Sequence, residues 1–122
     1  MRWWIILRDR SLESFREVIK KILDAYRLQL GVDEDVKIKI RRYRTRAAFS
    51  NIKTKTIYIN KELLDLDEKT LKYLILHELI HIKLNTKYHN GDFHRILHRF
   101  ISPEEITFIR RNIRERLLKI KS

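Results

Sequence analysis

Between Leu71 and Leu84 the chain reads LKYLILHELIHIKL, and the apolar residues of this run point in nearly every direction around a helix. That is the pattern of a buried helix rather than a surface one. Asp67 is a good N-cap for it, which predicts a helix from there to about Leu84. Upstream, Leu12, Phe15, Ile19, Ile22, Leu23, Tyr26 and Leu30 keep a three-four rhythm between a Ser11 cap and a Gly31 stop, as an amphipathic scaffold helix does. Val36 to Tyr43, VKIKIRRY, alternates apolar and basic residues, so a strand with Lys37, Lys39 and Arg41 in water is predicted. Ala47 to Asn60, AAFSNIKTKTIYIN, is a second β-rich segment with a turn near Lys53 to Lys55. Trp3 to Leu7 reads as a short strand or an apolar arm, its aromatic pair serving core or interface.

Beyond the buried helix, Asn85 to Asn90 is polar and reads as a loop, and Asp92 as the cap of a short helix, Phe93 to Ile101. Ser102-Pro103-Glu104-Glu105 then supplies cap, N1 proline and acidic first turn for a last helix, 103–122. One side of it carries Ile106, Ile109, Ile113, Leu117 and Ile120. This order predicts an α+β fold with a scaffold helix, a small, mainly antiparallel sheet, a central helix and C-terminal helices. At 122 residues the chain fits one domain, 1–122.

Three residues that avoid interiors break the apolar run: His77, Glu78 and His81. Burying such groups without partners costs roughly 2–7 kcal/mol each. A metal ion would hold them. Residues four apart stand one above the other on a helix, so His77 and His81 can meet one ion while Glu78 faces the space beside it. HExxH is the zincin signature: neutral imidazoles suit tetrahedral zinc, an open position takes water, and the carboxylate accepts the water's proton. The chain's own His and Glu frequencies give this pattern by chance with odds of only roughly 0.01–0.02.

Charge and composition add partners and exclusions. With 28 Lys+Arg against 16 Asp+Glu the net charge is +12, which favours anionic partners such as nucleic acid, although a solvated surface accounts for the same numbers. The densest basic cluster is Arg41, Arg42, Arg44 and Arg46. Cysteine is absent, which excludes disulfides and thiolate zinc sites. No apolar run has the length of a membrane span or signal segment, so a cytoplasmic protein is expected. A charge-rich chain with two Gly and one Pro fits a thermophile pattern.

Catalytic zinc takes three protein ligands plus water, and the further candidates are His89, His94 and His98. His94 and His98, four apart on one short helix, read as solvent-facing or core-edge residues. His89 lies on the loop that returns from His81 and can swing back beneath the first two. With HELIH followed by His89-Asn90-Gly91-Asp92-Phe93, and Ile57-Tyr58-Ile59-Asn60 upstream, the stretch from Arg46 to Ile101 resembles the SprT-like and YgjP-like zinc metallopeptidases. In length it is most similar to the minigluzincins of thermophilic prokaryotes.

The resemblance implies a zincin-like fold, Zn2+ on His77, His81 and His89, and Glu78 as general base of peptide-bond hydrolysis. It further implies a peptide or protein substrate paired along Thr56, Ile57, Tyr58, Ile59 and Asn60, with Phe93 as packing. Minigluzincin C-terminal segments are associated with latency, so the last helix is expected near the cleft of its own chain or of a partner in a homodimer. For the oxyanion, Tyr88, His94 or an arginine is available. The glutamate ligand of typical gluzincins has no counterpart, because Glu104 and Glu105 read as helix-start residues. Two other readings are a DNA-associated SprT-like protease and a basic nucleic-acid-binding protein with a non-catalytic zinc site.

Overall fold

Helix α1 (Leu12–Leu30) buries Phe15, Ile19, Ile22, Leu23 and Leu30 along one stripe. It ends as the sequence predicts, because Gly31 adopts φ +69°, a left-handed conformation that costs glycine little. Val32 N–H then donates to Arg27 O at 3.0 Å and Gly31 N–H to Leu28 O at 3.4 Å, a Schellman closure that satisfies orphan carbonyls. The computed structural model describes residues 12–33 and 35–121. The expected Trp3 to Leu7 element and the Ser11 cap lie outside these residues.

Strands β1 (Lys37–Arg41), β2 (Ala48–Asn51) and β3 (Thr56–Asn60) form a sheet in the order β1-β3-β2. The β2–β3 hairpin is antiparallel with Phe49 opposite Tyr58, whereas β1 runs parallel to β3 with Lys39 opposite Tyr58. The sheet is therefore mixed, not mainly antiparallel. Alternation reports which face of a strand is buried, and it carries no information on strand direction.

The order of the strands also corrects a site expectation. Because β3 lies in the middle, both its backbone edges are already hydrogen-bonded, and Thr56, Ile57, Tyr58, Ile59 and Asn60 have none left for a substrate chain. Asn60 is fully buried, and its side chain clamps the loop that crosses from β1 to β2. Its Nδ2 donates to Tyr43 O and Arg46 O, both at 2.8 Å, while Oδ1 accepts from Tyr43 N–H at 3.2 Å and Glu62 N–H at 3.0 Å. That exhausts the amide's capacity. The free edge near the central helix belongs to β2.

A 3-10 turn (Lys61–Leu63) leads to helix α2 (Glu68–Leu84), capped by Asp67, whose carboxylate accepts from Thr70 N–H at 2.7 Å. As its pattern requires, α2 is buried over most of its surface, only Lys69, Lys72 and Lys83 being exposed to solvent, with Leu71, Ile75, Leu76, Leu79 and Ile80 at 0 % exposure. Each such side chain contributes about 1.5–3 kcal/mol by leaving water. Lys83 Nζ donates to Leu30 O at 2.8 Å and ties α2 to the end of α1.

Helix α3 (Gly91–Phe100) begins two residues earlier than its acidic residue suggests: Asn90, not Asp92, is the cap, its Oδ1 accepting from Phe93 N–H at 3.0 Å. Asp92 pairs with Arg95 instead. Helix α4 (Pro103–Lys121) starts at Ser102, whose Oγ accepts from Glu105 N–H, and buries Ile106, Ile109 and Ile113 in the common core. Further along, Arg116 binds Asp65 Oδ1 at 2.6 Å and Glu62 O at 2.9 Å. Among the described residues no helix is long and apolar enough to cross a membrane.

Candidate active site

The ligand face of α2 carries His77 and His81 one turn apart, with ring centroids 5.0 Å from each other. Past His81 the helix stops at Asn85, whose left-handed backbone (φ 53°) turns the chain back under its own last turn. That reversal brings His89 to 4.8 Å from the His77 ring and 4.9 Å from the His81 ring. One nitrogen from each of the three imidazoles lies within 4.8 Å of the others. Beneath them sits Phe93, 1 % exposed, with its ring 4.7–4.8 Å from all three. Packing is thus its role, as expected.

Hydrogen bonds set the imidazoles' orientation. His81 Nδ1 is 2.8 Å from Thr86 O, and since a carbonyl only accepts, Nδ1 carries the hydrogen and Nε2 keeps a lone pair. By the same reasoning His77 donates from Nδ1 to Glu78 Oε2 at 3.2 Å and presents Nε2. His81 Nε2 lies 3.1 Å from His89 Nε2. Two nitrogens bound to one tetrahedral ion at roughly 2.0–2.1 Å stand about 3.3 Å apart, so this donor set fits a metal. An imidazole anchored through its other nitrogen is also the usual outer-shell arrangement of metal-binding histidines.

Burial prepares the same chemistry. Glu78 and His81 are each 6 % exposed, and desolvation pushes the His81 pKa below its ordinary value, partly offset by the Thr86 carbonyl and the Glu78 charge. The His89 pKa is lowered too, first by desolvation and then by His77, His81 and His94. Neutral imidazoles are the form a metal requires. His94 and His98 are exposed on α3, and the His94 ring is 6.4 Å from that of His89, outside the triad.

Beside the triad opens a cleft of about 410 Å³ between the start of β2, helix α2 and helix α4. Its lining includes His77 and Glu78 together with Tyr73, Arg110 and Arg114, three residues that sequence reasoning passed over. Tyr73 could have been found, since it lies one turn before His77 on the ligand face. Its hydroxyl pKa is raised, first by burial and also by the Glu78 carboxylate, while Arg110 pulls it down, so the phenol stays protonated at neutral pH. Tyr88, the tyrosine first considered for the oxyanion, is 66 % exposed on the loop and does not line the cleft.

Three convergent imidazoles on and below an HExxH helix, with a carboxylate beside them and a cleft alongside, define a metallopeptidase. The chain belongs to the YgjP-like metallopeptidase family, whose model (YgjP-like, metallopeptidase domain) matches residues 6–107. The protein MJ0123 of Methanocaldococcus jannaschii is 34% identical over 109 residues, covering 88% of this chain and 99% of its own. Two crystal structures share the fold. The metallopeptidase zymogen of Methanocaldococcus jannaschii jannalysin is 34% identical, with a TM-score of 0.73 over 81% of this chain and 96% of its own. That of Pyrococcus abyssi abylysin is 29% identical, with a TM-score of 0.75 over 82% and 95%. The enzyme is thus a hydrolase that uses a metal and acts on peptides or proteins.

Proposed function

We propose that this chain is a zinc-dependent endopeptidase in which His77, His81 and His89 hold the metal and Glu78 is the general base. The observation that carries the reading is the meeting of three ligand nitrogens within 4.8 Å with a buried carboxylate next to them. An all-imidazole donor set favours zinc over harder cations. Zinc, when bound, supplies a Lewis acid that acidifies water and polarises the scissile carbonyl. Glu78 accepts the proton of the attacking water and delivers it to the leaving amine. Tyr73 donates its O–H to the developing oxyanion, replacing Tyr88 and His94 in that role. The substrate backbone pairs with the free edge of β2, Ala48–Asn51, because β3 has no edge to offer. The test is Glu78→Gln in activated protein: metal content by elemental analysis stays at one zinc per chain while the peptide cleavage shown by activated parent disappears. Parent-like cleavage by this variant would remove the zincin reading.

Latency belongs to the same proposal. Helix α4 borders the cleft through Leu117 and Leu118, the family match ends at residue 107 within that helix, and two solved relatives are zymogens. Full-length protein is therefore poorly active until the distal half of α4 moves. The exposed Phe108 and Leu118, each 58 % accessible, support pairing of two chains through this helix, which sedimentation velocity checks. We assign the whole chain to one catalytic domain acting in the cytoplasm. A second reading, nucleic-acid contact, is supported by Arg41, Arg44 and Arg46, which are exposed, whereas Arg42 is paired with Glu62 at 2.6 Å. Binding through phosphates must weaken steeply with salt.

A further inference from the structure

We propose that the cleft selects a carboxylate close to the scissile bond and that Arg110 and Arg114 of α4 are the groups that read it. The inference rests on the metallopeptidase reading of the site and adds its substrate class. Arg110 and Arg114 stand four apart, hence one above the other on the same side of the helix, and both line the cavity that holds His77 and Glu78. Neither makes a hydrogen bond or an ion pair with a described residue. Arg116 on the same helix shows what a structural arginine looks like here, being bound to Asp65 and to Glu62 O. Among the described residues the two cleft arginines have no such partner.

Their position is nonetheless held. Ile109 and Ile113, the neighbours of Arg110 and Arg114 in sequence, are buried at 4 % and 7 % exposure and anchor this half of α4 to the core. The rest of the cavity wall is largely apolar, with Leu74, Ile113 and Leu117, and its one carboxylate, Glu78, faces His77. An apolar wall strengthens a charge pair across it, and guanidinium matches carboxylate with two parallel hydrogen bonds. Arg110 shares the cavity lining with Tyr73 as well as with His77 and Glu78. A carboxylate there has two possible sources, an Asp or Glu side chain next to the cleaved bond or the α-carboxylate of a chain end. Both present the same group to the same pair.

The experiment measures equilibrium binding of short fluorescent peptides to zinc-loaded Glu78→Gln protein, both full-length and cut after Arg116, by anisotropy. The peptides differ at one position, Glu, Gln or Lys, all with amidated ends, and a fourth is the Gln peptide with a free C terminus. The Glu peptide is expected to bind about 10- to 100-fold more tightly than the Gln peptide, the span of one or two charge-assisted hydrogen bonds, and the Lys peptide most weakly. Tighter binding of the free-end peptide than of its amidated twin assigns the carboxylate to a chain end. Arg110→Gln and Arg114→Gln each shrink the Glu preference, and the Arg110→Glu/Arg114→Glu double variant reverses it. Lys20→Glu/Lys21→Glu, which makes the same charge change at exposed residues of α1 that do not line the cleft, leaves it intact. A Glu to Gln ratio near one together with no preference for the free-end peptide over its amidated twin, including no binding of any peptide, overturns the proposal, as does an equal loss in the Lys20/Lys21 control. The two readings fail separately: activated parent protein that cleaves the Glu, Gln and free-end peptides equally well sinks only the selectivity. A carboxylate preference without any cleavage by activated protein sinks only the peptidase assignment.

Discussion

At His81 the tautomer, the ring orientation and the depressed pKa all follow from one backbone carbonyl and from burial. A linked pH dependence is expected. The folded pKa of His81 lies below the ordinary value near 6.5, and that of His89 is shifted the same way. The unfolded chain therefore takes up protons that the fold resists. Stability present above about pH 6.5 is lost as pH falls through that value toward the folded pKa. For metal-free protein, melting temperatures measured from pH 8 down to pH 5 should decline once pH drops below that value, and a flat profile would contradict the burial argument. His89→Ala should lower zinc affinity by more than the roughly 10–100-fold that loss of an outer-shell partner costs, whereas His94→Ala should not. Competition with a chelating dye reads both. Tyr73→Phe removes a donor without changing the packing, and kcat should fall about 10²-fold with zinc content unchanged.

Two elements carry positional information beyond their own stability. The loop from Tyr43 to Arg46 crosses the end of β3 because Asn60 bonds it from below, so Asn60→Ala strands partly buried polar groups at up to roughly 1–3 kcal/mol each. A fall in urea midpoint of a sizeable fraction of total stability is expected, accompanied by weaker peptide binding because β2 loses its placement. Helix α4 has two halves with different duties. Ile106, Ile109 and Ile113 belong to the core, and losing a buried isoleucine costs about 2–5 kcal/mol. Cutting the chain after Ser102 should therefore unfold it rather than activate it. Cutting after Arg116 keeps those three residues and the Arg116 bond to Asp65, removes Leu117 and Leu118 from the cleft, and should raise cleavage of an unstructured substrate. Unchanged activity of this shorter chain would count against latency.

Across the whole molecule the core and the site share one element, since α2 contributes both the most deeply buried side chains and two of the three imidazoles. Removing zinc should accordingly lower the melting temperature of the entire chain in a single transition, because binding to the folded state alone adds to its stability. Calorimetry with and without chelator decides this. What the sequence determined alone was local: α2 and its Asp67 cap, the Gly31 stop, the β2–β3 turn, the Ser102 start of α4, and the i,i+4 pair His77 and His81. Caps, turns and one-turn spacings are made by residues close together in the chain, so their signals lie in short windows. The third imidazole was legible in part, because only His89 sat on a returning loop, but its meeting with His81 needed the left-handed Asn85 and the Phe93 floor. The placement of β3 between its neighbours was decided by tertiary structure alone, and with it the loss of Thr56 to Asn60 as a substrate edge. So was the cleft that gathers Tyr73, Arg110 and Arg114, because the walls come from segments some thirty to seventy residues apart whose meeting depends on packing that no local periodicity encodes.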